Sequence, residues 1–399
     1  MGSRKDATHA LIIVEILALV VVLIFGVLQK GKITKQDDIQ KTSQQNTQNI
    51  ISENVISDVE ETQTEEQEVK QVVFSEQVTQ KLSSMTLEEK VAQMFVISPE
   101  MLTNMDESVN VAGDATANAI NTYPVGGLVY SAQNFMGKEQ AKKLLSRTQQ
   151  YSVERIGLPM FLAVEEMGGE AHSPVATKVD YRVQSALTDV KDVEEAKKTA
   201  GNISTYLTEI GFTMNIVPFG SLAFSSDVAN TSVLVAESIA TYDEKAMTTA
   251  VGVFPGSVEG KDFNAWKETD ALVFKSAINA GCDSIVVGNV LYKELTEDDT
   301  TICSMSKNVV QYIRGDMGFE GVIMTDSLSK EVVTLNYSSK EAAVMAVQAG
   351  VNMLFCPQNF VEAYQGIIDA VNNNEIKMET IDESVGRILT QKMSGATQE

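Results

Sequence analysis

The stretch GVIMTDS, residues Gly321–Ser327, decides the predicted fold. Its β-forming residues follow one another without a polar interruption, which is typical of a strand buried on both faces of a parallel sheet. Seven more short β-rich runs occur, most of them also continuous and apolar: VAQMFVI (91–97), GGLVYSA (126–132), PMFLAVE (159–165), FTMNIVP (212–218), TAVGVFP (249–255), DSIVVGN (283–289) and NMLFCP (352–357). Eight strands that alternate with amphipathic stretches over about 310 residues predict an α/β fold, a single-domain (β/α)8 TIM barrel.

Charge and composition argue against several classes of partner. The 399 residues carry a formal net charge of −23, which disfavours nucleic acid as a partner. A doubly wound sheet would bring a glycine-rich phosphate loop, and neither GxGxxG nor GxxxxGKS/T occurs, so no nucleotide or other cofactor is expected. The cysteines, Cys282, Cys303 and Cys356, lack CxxC spacing and predict buried apolar side chains rather than disulfides or a metal site.

The N-terminal part differs in character from the rest of the chain. Residues 10–28, ALIIVEILALVVVLIFGVL, form an apolar run that would span about 28 Å as a helix. A cleaved signal peptide is the alternative, but the run is long and no small-x-small site follows it. We predict a short tail at 1–9, a transmembrane anchor at 10–28, an acidic disordered linker at 29–77 and the barrel at 78–399.

Two opposing signals bear on the orientation of this anchor. Arg4 and Lys5 precede the apolar run and Lys30, Lys32 and Lys35 come after it, so the positive-inside count favours a cytoplasmic barrel. Long domains, however, translocate largely regardless of such counts, and a single N-terminal anchor usually exports the domain that it precedes. The expectation is a single-pass cell-membrane protein with an extracellular barrel.

The strand ends supply the candidate chemical groups, because a barrel places its functional side chains there. Glu165 and Glu166 follow the third strand, ahead of a double glycine, and either turn a carboxylate into a pocket or belong to a solvated loop. Asp326 comes directly after four β-forming residues, where it either acts chemically or caps the next helix. His172 has no Ser or Cys motif beside it and is expected to be a surface or structural histidine.

Eight motifs carry a resemblance to a known family. In order and spacing they resemble family 3 glycoside hydrolases, and within them the single-barrel β-N-acetylhexosaminidase branch: LSSMTLEEKVAQMF, GGLVYSAQN, PMFLAVEEMGG, NIVPF, VFPG, RGDMGFEGVIMTDSL, AVQAGVNMLF and SVGRIL. The resemblance covers Val78 to Lys392. It implies retaining hydrolysis by double displacement, with a β-linked amino-sugar glycan of the cell wall as substrate. In the family the nucleophile is the aspartate after strand seven, and TDSL places Asp326 in that register.

The resemblance also implies substrate-binding positions. Glu165 stands where the family has an aspartate that grips sugar hydroxyls. Ser221 aligns with a second family aspartate, and Asn289 aligns with a histidine of strand six. These three residues are therefore predicted to contact substrate, with side chains that differ from the family pattern.

Strand five departs furthest from the family. The family reads Lys-His-Phe-Pro-Gly-His there, whereas Gly252, Val253 and Ser257 occupy the lysine and histidine positions. The hexosaminidase branch carries its acid/base histidine on the loop after this strand, and the loop contains no histidine here. Glu259 and Asp262 are the carboxyl groups that could replace it.

The sequence supports two hypotheses from different classes. The first is a membrane-anchored family 3-like glycosidase with an altered site, in which Asp326 is the nucleophile and Glu259 or Asp262 the acid. The second is a catalytically inactive glycan-binding or protein-interaction module at the cell surface. Loss of a general acid removes about 10²–10⁴ in rate, so ordinary hexosaminidase activity is expected to be lost or strongly altered.

Overall fold

The structure is a computed structural model that describes residues 72–186, 189–217 and 227–394. The predicted tail, the predicted anchor and most of the predicted linker lie outside these residues, as does Ser221. Within the described ranges, no helix is both long and apolar enough to cross a membrane. The first described helix begins at Glu76, two residues before the predicted start of the barrel.

Eight parallel strands form the wall of the barrel. They are β1 (Phe95–Ile97), β2 (Gly127–Tyr130), β3 (Phe161–Val164), β4 (Met214–Val217), β5 (Thr248–Phe254), β6 (Ser284–Val287), β7 (Val322–Thr325) and β8 (Leu354–Phe355). Each strand from β1 to β6 pairs with the next one along the chain, and β8 pairs with β1. A parallel bridge between Met324 and Met353 nearly closes the barrel. The prediction of eight parallel strands is confirmed.

Helices connect the strands and cover the outside of the wall. They are α1 (Glu76–Ser83), α2 (Leu87–Gln93), α3 (Pro99–Thr103), α4 (Asp114–Thr122), α5 (Lys138–Ile156), α6 (Pro174–Lys178), α7 (Val193–Ile210), α8 (Val228–Asp243), α9 (Phe263–Lys267), α10 (Asp270–Asn279), α11 (Lys293–Thr296), α12 (Lys307–Gly315), α13 (Glu331–Thr334), α14 (Ser339–Ala349), α15 (Phe360–Asn372) and α16 (Met378–Ser394). This alternation of strand and helix is the arrangement of a TIM barrel.

The first predicted strand is wrong at its beginning. Residues 91–93 complete helix α2, and the strand comprises Phe95–Ile97 alone. The Thr86 hydroxyl accepts the N–H of Glu89 at 3.2 Å, and the Glu89 carboxylate accepts the N–H of Thr86 at 3.2 Å. This capping box starts the helix, and the helix continues through residues 91–93, whose apolar character had suggested a strand.

The strands are largely buried on both faces, as the mostly continuous apolar runs predict. Every residue of β3, β4, β6 and β7 is buried. The backbone before β2 also lies very close to the end of α2, since a Cβ added to Gly126 would lie 2.0 Å from the carbonyl oxygen of Gln93. Tight packing of this kind fixes the strand ends, and the strand ends fix the loops that carry the polar groups.

Candidate active site

Residues at the carboxyl ends of β1, β2, β3 and β8 line a cavity of about 350 Å³, a volume in the range of small-molecule sites. Its wall includes Glu100, Tyr130, Glu165, His172 and Phe355. Glu100 is held in place, because its Oε1 accepts the Asn134 amide at 2.6 Å and the N–H of Val109 at 2.8 Å. The cavity thus has two carboxyl groups and one imidazole in its wall.

Glu166, the second of the two acids after β3, is a structural residue. Its carboxylate is buried and accepts the Tyr206 hydroxyl at 2.6 Å. It also accepts the backbone N–H groups of Val175 at 2.8 Å and Ala176 at 3.2 Å, in the first turn of α6. Burial raises the pKa of the Glu166 carboxyl. Glu166 therefore fastens α6 to the barrel and does not face the cavity.

Glu165 is turned the other way. Its side chain is solvent-exposed and forms part of the cavity wall. Partial desolvation by the surrounding wall, and after it the negative charge of Asp326, raise the pKa of the Glu165 carboxyl, while Lys330 and His172 oppose the rise. The structure therefore brings Glu165, Asp326, Lys330 and His172 into one electrostatic neighbourhood.

Asp326 follows β7 directly, and both of its carboxylate oxygens are engaged. Oδ1 accepts the N–H of Ser327 at 2.7 Å, and Oδ2 accepts the Lys330 ammonium at 2.5 Å. The Asp326 side chain is 14% exposed and the Lys330 side chain 53%, so the lysine approaches the carboxylate from the solvent side. Asp326 is not the cap of the next helix, because the N-cap position of α13 is Lys330.

Asn289 supports the loop that carries Asp326. Its side-chain amide donates to the carbonyl oxygen of Ser327 at 2.7 Å, and its side-chain oxygen accepts the Ser304 hydroxyl at 2.6 Å. The residue is 5% exposed. The resemblance predicts that Asn289 contacts substrate, and this stays a prediction; in the structure its side chain hydrogen-bonds within the protein, at the base of the Asp326 loop.

Strand β5 has no room for the lysine of the family pattern. Gly252 is buried, and a Cβ at this position would lie 2.8 Å from the Cβ of Val286. Real Cβ atoms essentially never approach so closely, so a longer side chain would require the backbone to move. Glycine is therefore part of the packing between β5 and β6, and strand five sends no polar side chain from this position toward the cavity.

The loop after β5, residues 255–269, is anchored to the core through the buried Pro255 and Trp266, while its other side chains are exposed or half-buried. Trp266 is fully buried and its indole N–H donates to the carbonyl oxygen of Pro255 at 2.8 Å. Aromatic rings surround it, with centroids 5.7 Å away for Phe254 and 5.4 Å away for Tyr312. The buried Asp270 carboxylate accepts the N–H of Ser257 at 3.0 Å and pairs with Lys261. Both ends of the loop are thus fastened to the core.

The two acid/base candidates of this loop lie on its surface. Asp262 is the N-cap of α9 and accepts the N–H of Ala265 at 2.9 Å. Glu259 is exposed and makes no hydrogen bond or ion pair within the part of the chain that the structure describes. Neither residue belongs to the wall of the cavity that holds Glu165. Their assignment as acid/base groups stays a prediction.

Sequence reasoning missed two residues of the site, His172 and Lys330. His172 reaches the cavity because the loop after β3 folds back, and the N–H of Met167 donates to the His172 carbonyl at 2.8 Å. The double glycine supplies the reversal, with φ of 78° at Gly168 and 71° at Gly169. Lys330 comes four residues after Asp326. The double glycine and the four-residue spacing from Asp326 to Lys330 are visible in the sequence, but neither shows that these side chains lie near Glu165.

The fold and the site define a parallel α/β barrel with carboxyl groups gathered around a cavity at the carboxyl ends of its strands, the arrangement of barrel glycosidases. The chain belongs to glycosyl hydrolase family 3, since residues 86–391 match the Glycosyl hydrolase family 3 N terminal domain.

Curated relatives and solved structures agree with this assignment. The chain is 25% identical over 297 residues to a beta-hexosaminidase of Tolumonas auensis, covering 65% of this chain and 84% of the relative. It is 20% identical over 322 residues to beta-hexosaminidase A of Pseudoalteromonas piscicida, covering 68% of this chain and about half (54%) of that longer protein. The fold matches a family 3 beta-N-acetylglucosaminidase from Paenibacillus with a TM-score of 0.70 and 24% identity, over 79% of this chain and 64% of the other.

Proposed function

We propose that this protein binds a β-linked amino-sugar glycan in the cavity at the barrel mouth and has lost, or strongly altered, hexosaminidase turnover. The observation that carries the proposal is the anchoring of the loop after β5 to the core, away from the cavity wall. Trp266 and Asp270 fix this loop, and Gly252 leaves no space for the missing lysine. An ordinary family enzyme needs a proton donor there, and none of the cavity-wall residues comes from this loop.

The magnitude of the expected loss supports a binding role. A positioned general acid contributes about 10²–10⁴ in rate. Each missing charged contact to a transition state removes a further factor of roughly 10²–10³. Glu165 still presents its carboxylate to the cavity, and on this proposal that group contributes to glycan binding without restoring ordinary turnover.

A second candidate function is hydrolysis by an altered site. Asp326 keeps the register of the nucleophile after β7, and Glu165 with a raised pKa shares the cavity with His172. On this alternative the acid is Glu259, Asp262 or a group of the cavity wall. The hydrolytic mechanism itself is retaining, through a covalent glycosyl-enzyme at Asp326.

Location is part of the same proposal. The apolar run at 10–28 would anchor the chain in the cell membrane, and the acidic linker at 29–77 would hold the barrel away from the lipid, outside the cell. Protease treatment of intact cells tests the orientation. Cleavage of the barrel without lysis supports an extracellular position, and complete protection contradicts it.

Three measurements on the full chain separate binding from hydrolysis. The first measures binding of N-acetylglucosamine oligomers, and the second measures release of aryl alcohol from an aryl β-N-acetylglucosaminide. A third measurement uses a fluorinated glycosyl fluoride, whose leaving group needs no acid, and mass spectrometry of the trapped protein. Binding without turnover in the native protein supports the proposal. Turnover or labelling that disappears in Asp326→Ala would establish the enzymatic alternative, and absence of binding by a folded protein would overturn the proposal.

A further inference from the structure

A second cavity, the amino-end cavity, lies at the other end of the barrel from Glu165. Its volume is about 610 Å³, and its wall includes Phe161 and Thr248, the first residues of β3 and β5. The end of helix α16 contributes Lys392 to the same wall. Barrel enzymes take their catalytic groups from the carboxyl ends of the strands, so the chemistry of the barrel mouth does not account for this cavity.

Lys392 is a buried cation without a counter-charge. The residue is 5% exposed, and no carboxylate of the described residues lies within ion-pair distance of its ammonium. One N–H donates to Oε1 of Gln93 at 2.7 Å, and the ammonium lies 5.0 Å from the centre of the Phe161 ring. Because Phe161 also lines the amino-end cavity, the ammonium lies close to the cavity. Its other N–H donors have no hydrogen-bond acceptor among the described residues.

A cation buried in this way destabilises the fold. Removal of a charged group from water is compensated only where an opposite charge and further hydrogen bonds replace the water. Burial lowers the pKa of the Lys392 ammonium to about 7. A methionine would fill the same space without this cost. The described part of the chain therefore explains the length of this side chain but not its charge.

We propose that the amino-end cavity binds a small amphipathic carboxylate, with Lys392 as the counter-charge of the carboxylate group. Apolar side chains form much of the wall and would hold the body of the ligand: Val153, Pro159, Met160 and Phe161. Among the described residues no Asp or Glu lines the cavity, so an anion meets no like charge in the wall. A largely apolar cavity with few polar groups is the usual form of a small-molecule site.

The number of donors favours a carboxylate over a phosphate. A lysine ammonium has three N–H donors, and Gln93 accepts one of them. The remaining donors suit the two oxygens of a carboxylate through charge-assisted hydrogen bonds. A phosphate carries more charge and more acceptor oxygens, and the wall contains no arginine and no second lysine among the described residues.

Matched pairs of probes test the proposal on the full chain. Phenylpropionate and phenylpropionamide share an apolar body and differ in charge, and hexanoate and hexanamide form a second pair. Calorimetry measures the dissociation constants. Reductive methylation followed by mass spectrometry measures how far each probe protects Lys392. We expect the carboxylate of at least one pair to bind about tenfold more tightly than its amide and to slow the methylation of Lys392.

Variants assign the binding to this cavity. Lys392→Met should reduce the ratio of the two dissociation constants to about one. Val153 is 48% exposed, so Val153→Glu should fold, and its carboxylate in the cavity wall should weaken binding of the anionic probe about tenfold. Val233→Glu, at a 47% exposed position of α8, is the matched control and should bind the probes like the native protein.

Two results would overturn the proposal. One is equal binding of carboxylate and amide in both pairs, or no binding of any probe, by the native protein. The other is a carboxylate preference that Val153→Glu leaves unchanged, because the anion would then bind elsewhere. The proposed glycan site is tested separately, since Val153→Glu should bind N-acetylglucosamine oligomers as the native protein does.

Discussion

The loops after β3 and β5 begin at the same end of the barrel and are used in opposite ways. The loop after β3 carries Glu165 and His172 into the cavity wall, and both side chains are exposed. The loop after β5 buries Trp266 and ties the Asp270 carboxylate to the N–H of Ser257. Equivalent places in a barrel therefore do not guarantee equivalent chemistry.

The difference comes from which side chains point inward. In the loop after β3, Glu166 points inward and accepts the Tyr206 hydroxyl, and its neighbour Glu165 points to the cavity. In the loop after β5, the inward positions belong to an aromatic side chain and a buried ion pair, and the remaining polar groups lie on the outer surface. Each loop is fastened to the protein, and only one of them presents polar groups to the cavity.

The largest expected effect is a loss of folding stability when the loop after β5 loses Trp266. Trp266→Ala removes a fully buried indole and its hydrogen bond to Pro255, so the free energy of unfolding should fall by about 3–5 kcal/mol. Urea unfolding followed by circular dichroism measures this loss. Lys267→Ala, on the exposed face of the same short helix, should change stability by less than about 0.5 kcal/mol. A Trp266→Ala protein as stable as the native one would show that this loop is not held by its tryptophan.

Substitutions of the two adjacent acids in the loop after β3 should affect different properties, stability for Glu166 and glycan binding for Glu165. Glu166→Ala leaves the Tyr206 hydroxyl and two backbone N–H groups without their acceptor, so the free energy of unfolding should fall by about 3 kcal/mol. Glu165→Ala should cost less than about 0.5 kcal/mol and instead weaken glycan binding. Thermal unfolding and calorimetric titration of both variants make the comparison. Equal loss of stability in the two would contradict the division of roles.

A smaller effect is expected at strand β5. Gly252→Ala places a methyl group 2.8 Å from the Cβ of Val286, so the free energy of unfolding should fall by about 1–2 kcal/mol through overpacking. The double variant with Val286→Ala removes the clashing side chain and should lose less than the sum of the two single effects. Strict additivity of the two losses, measured by urea unfolding, would show that the close approach is not what excludes the family's lysine.

The smallest effect concerns the pH dependence of ligand binding. Because the pKa of Glu165 is raised, its carboxylate takes up a proton at a higher pH than an ordinary glutamate does. Binding that uses the ionised form is complete above that pKa and is lost as the pH falls through it. Calorimetric titrations of N-acetylglucosamine oligomers from about pH 4, near the ordinary pKa of a glutamate, to about pH 8 should show this decline as the pH is lowered. A profile for Glu165→Gln identical to that of the native protein would rule out Glu165 as its source.

Much of the fold could be predicted because its signals are local. Short β-rich runs, most of them continuous and apolar, marked all eight strands, and Asp326 could be placed at a strand end since the run before it ends there. The error at 91–93 was also local, because the capping box at Thr86 outweighed apolar residues that suit either structure. The role of Glu166 could not be predicted, since its partner Tyr206 lies 40 residues away.

The sequence by itself determined the barrel, the family and the absence of an ionisable side chain at Gly252 and Val253 of strand five, because each is read from residues close together in the chain. Tertiary structure alone decided which polar groups meet. It turned Glu165 outward and Glu166 inward, closed the loop that brings His172 to the cavity, and engaged Asn289 with the protein. Hydrogen bonds and ion pairs act over a few ångströms, and only the folded chain brings distant residues within that reach.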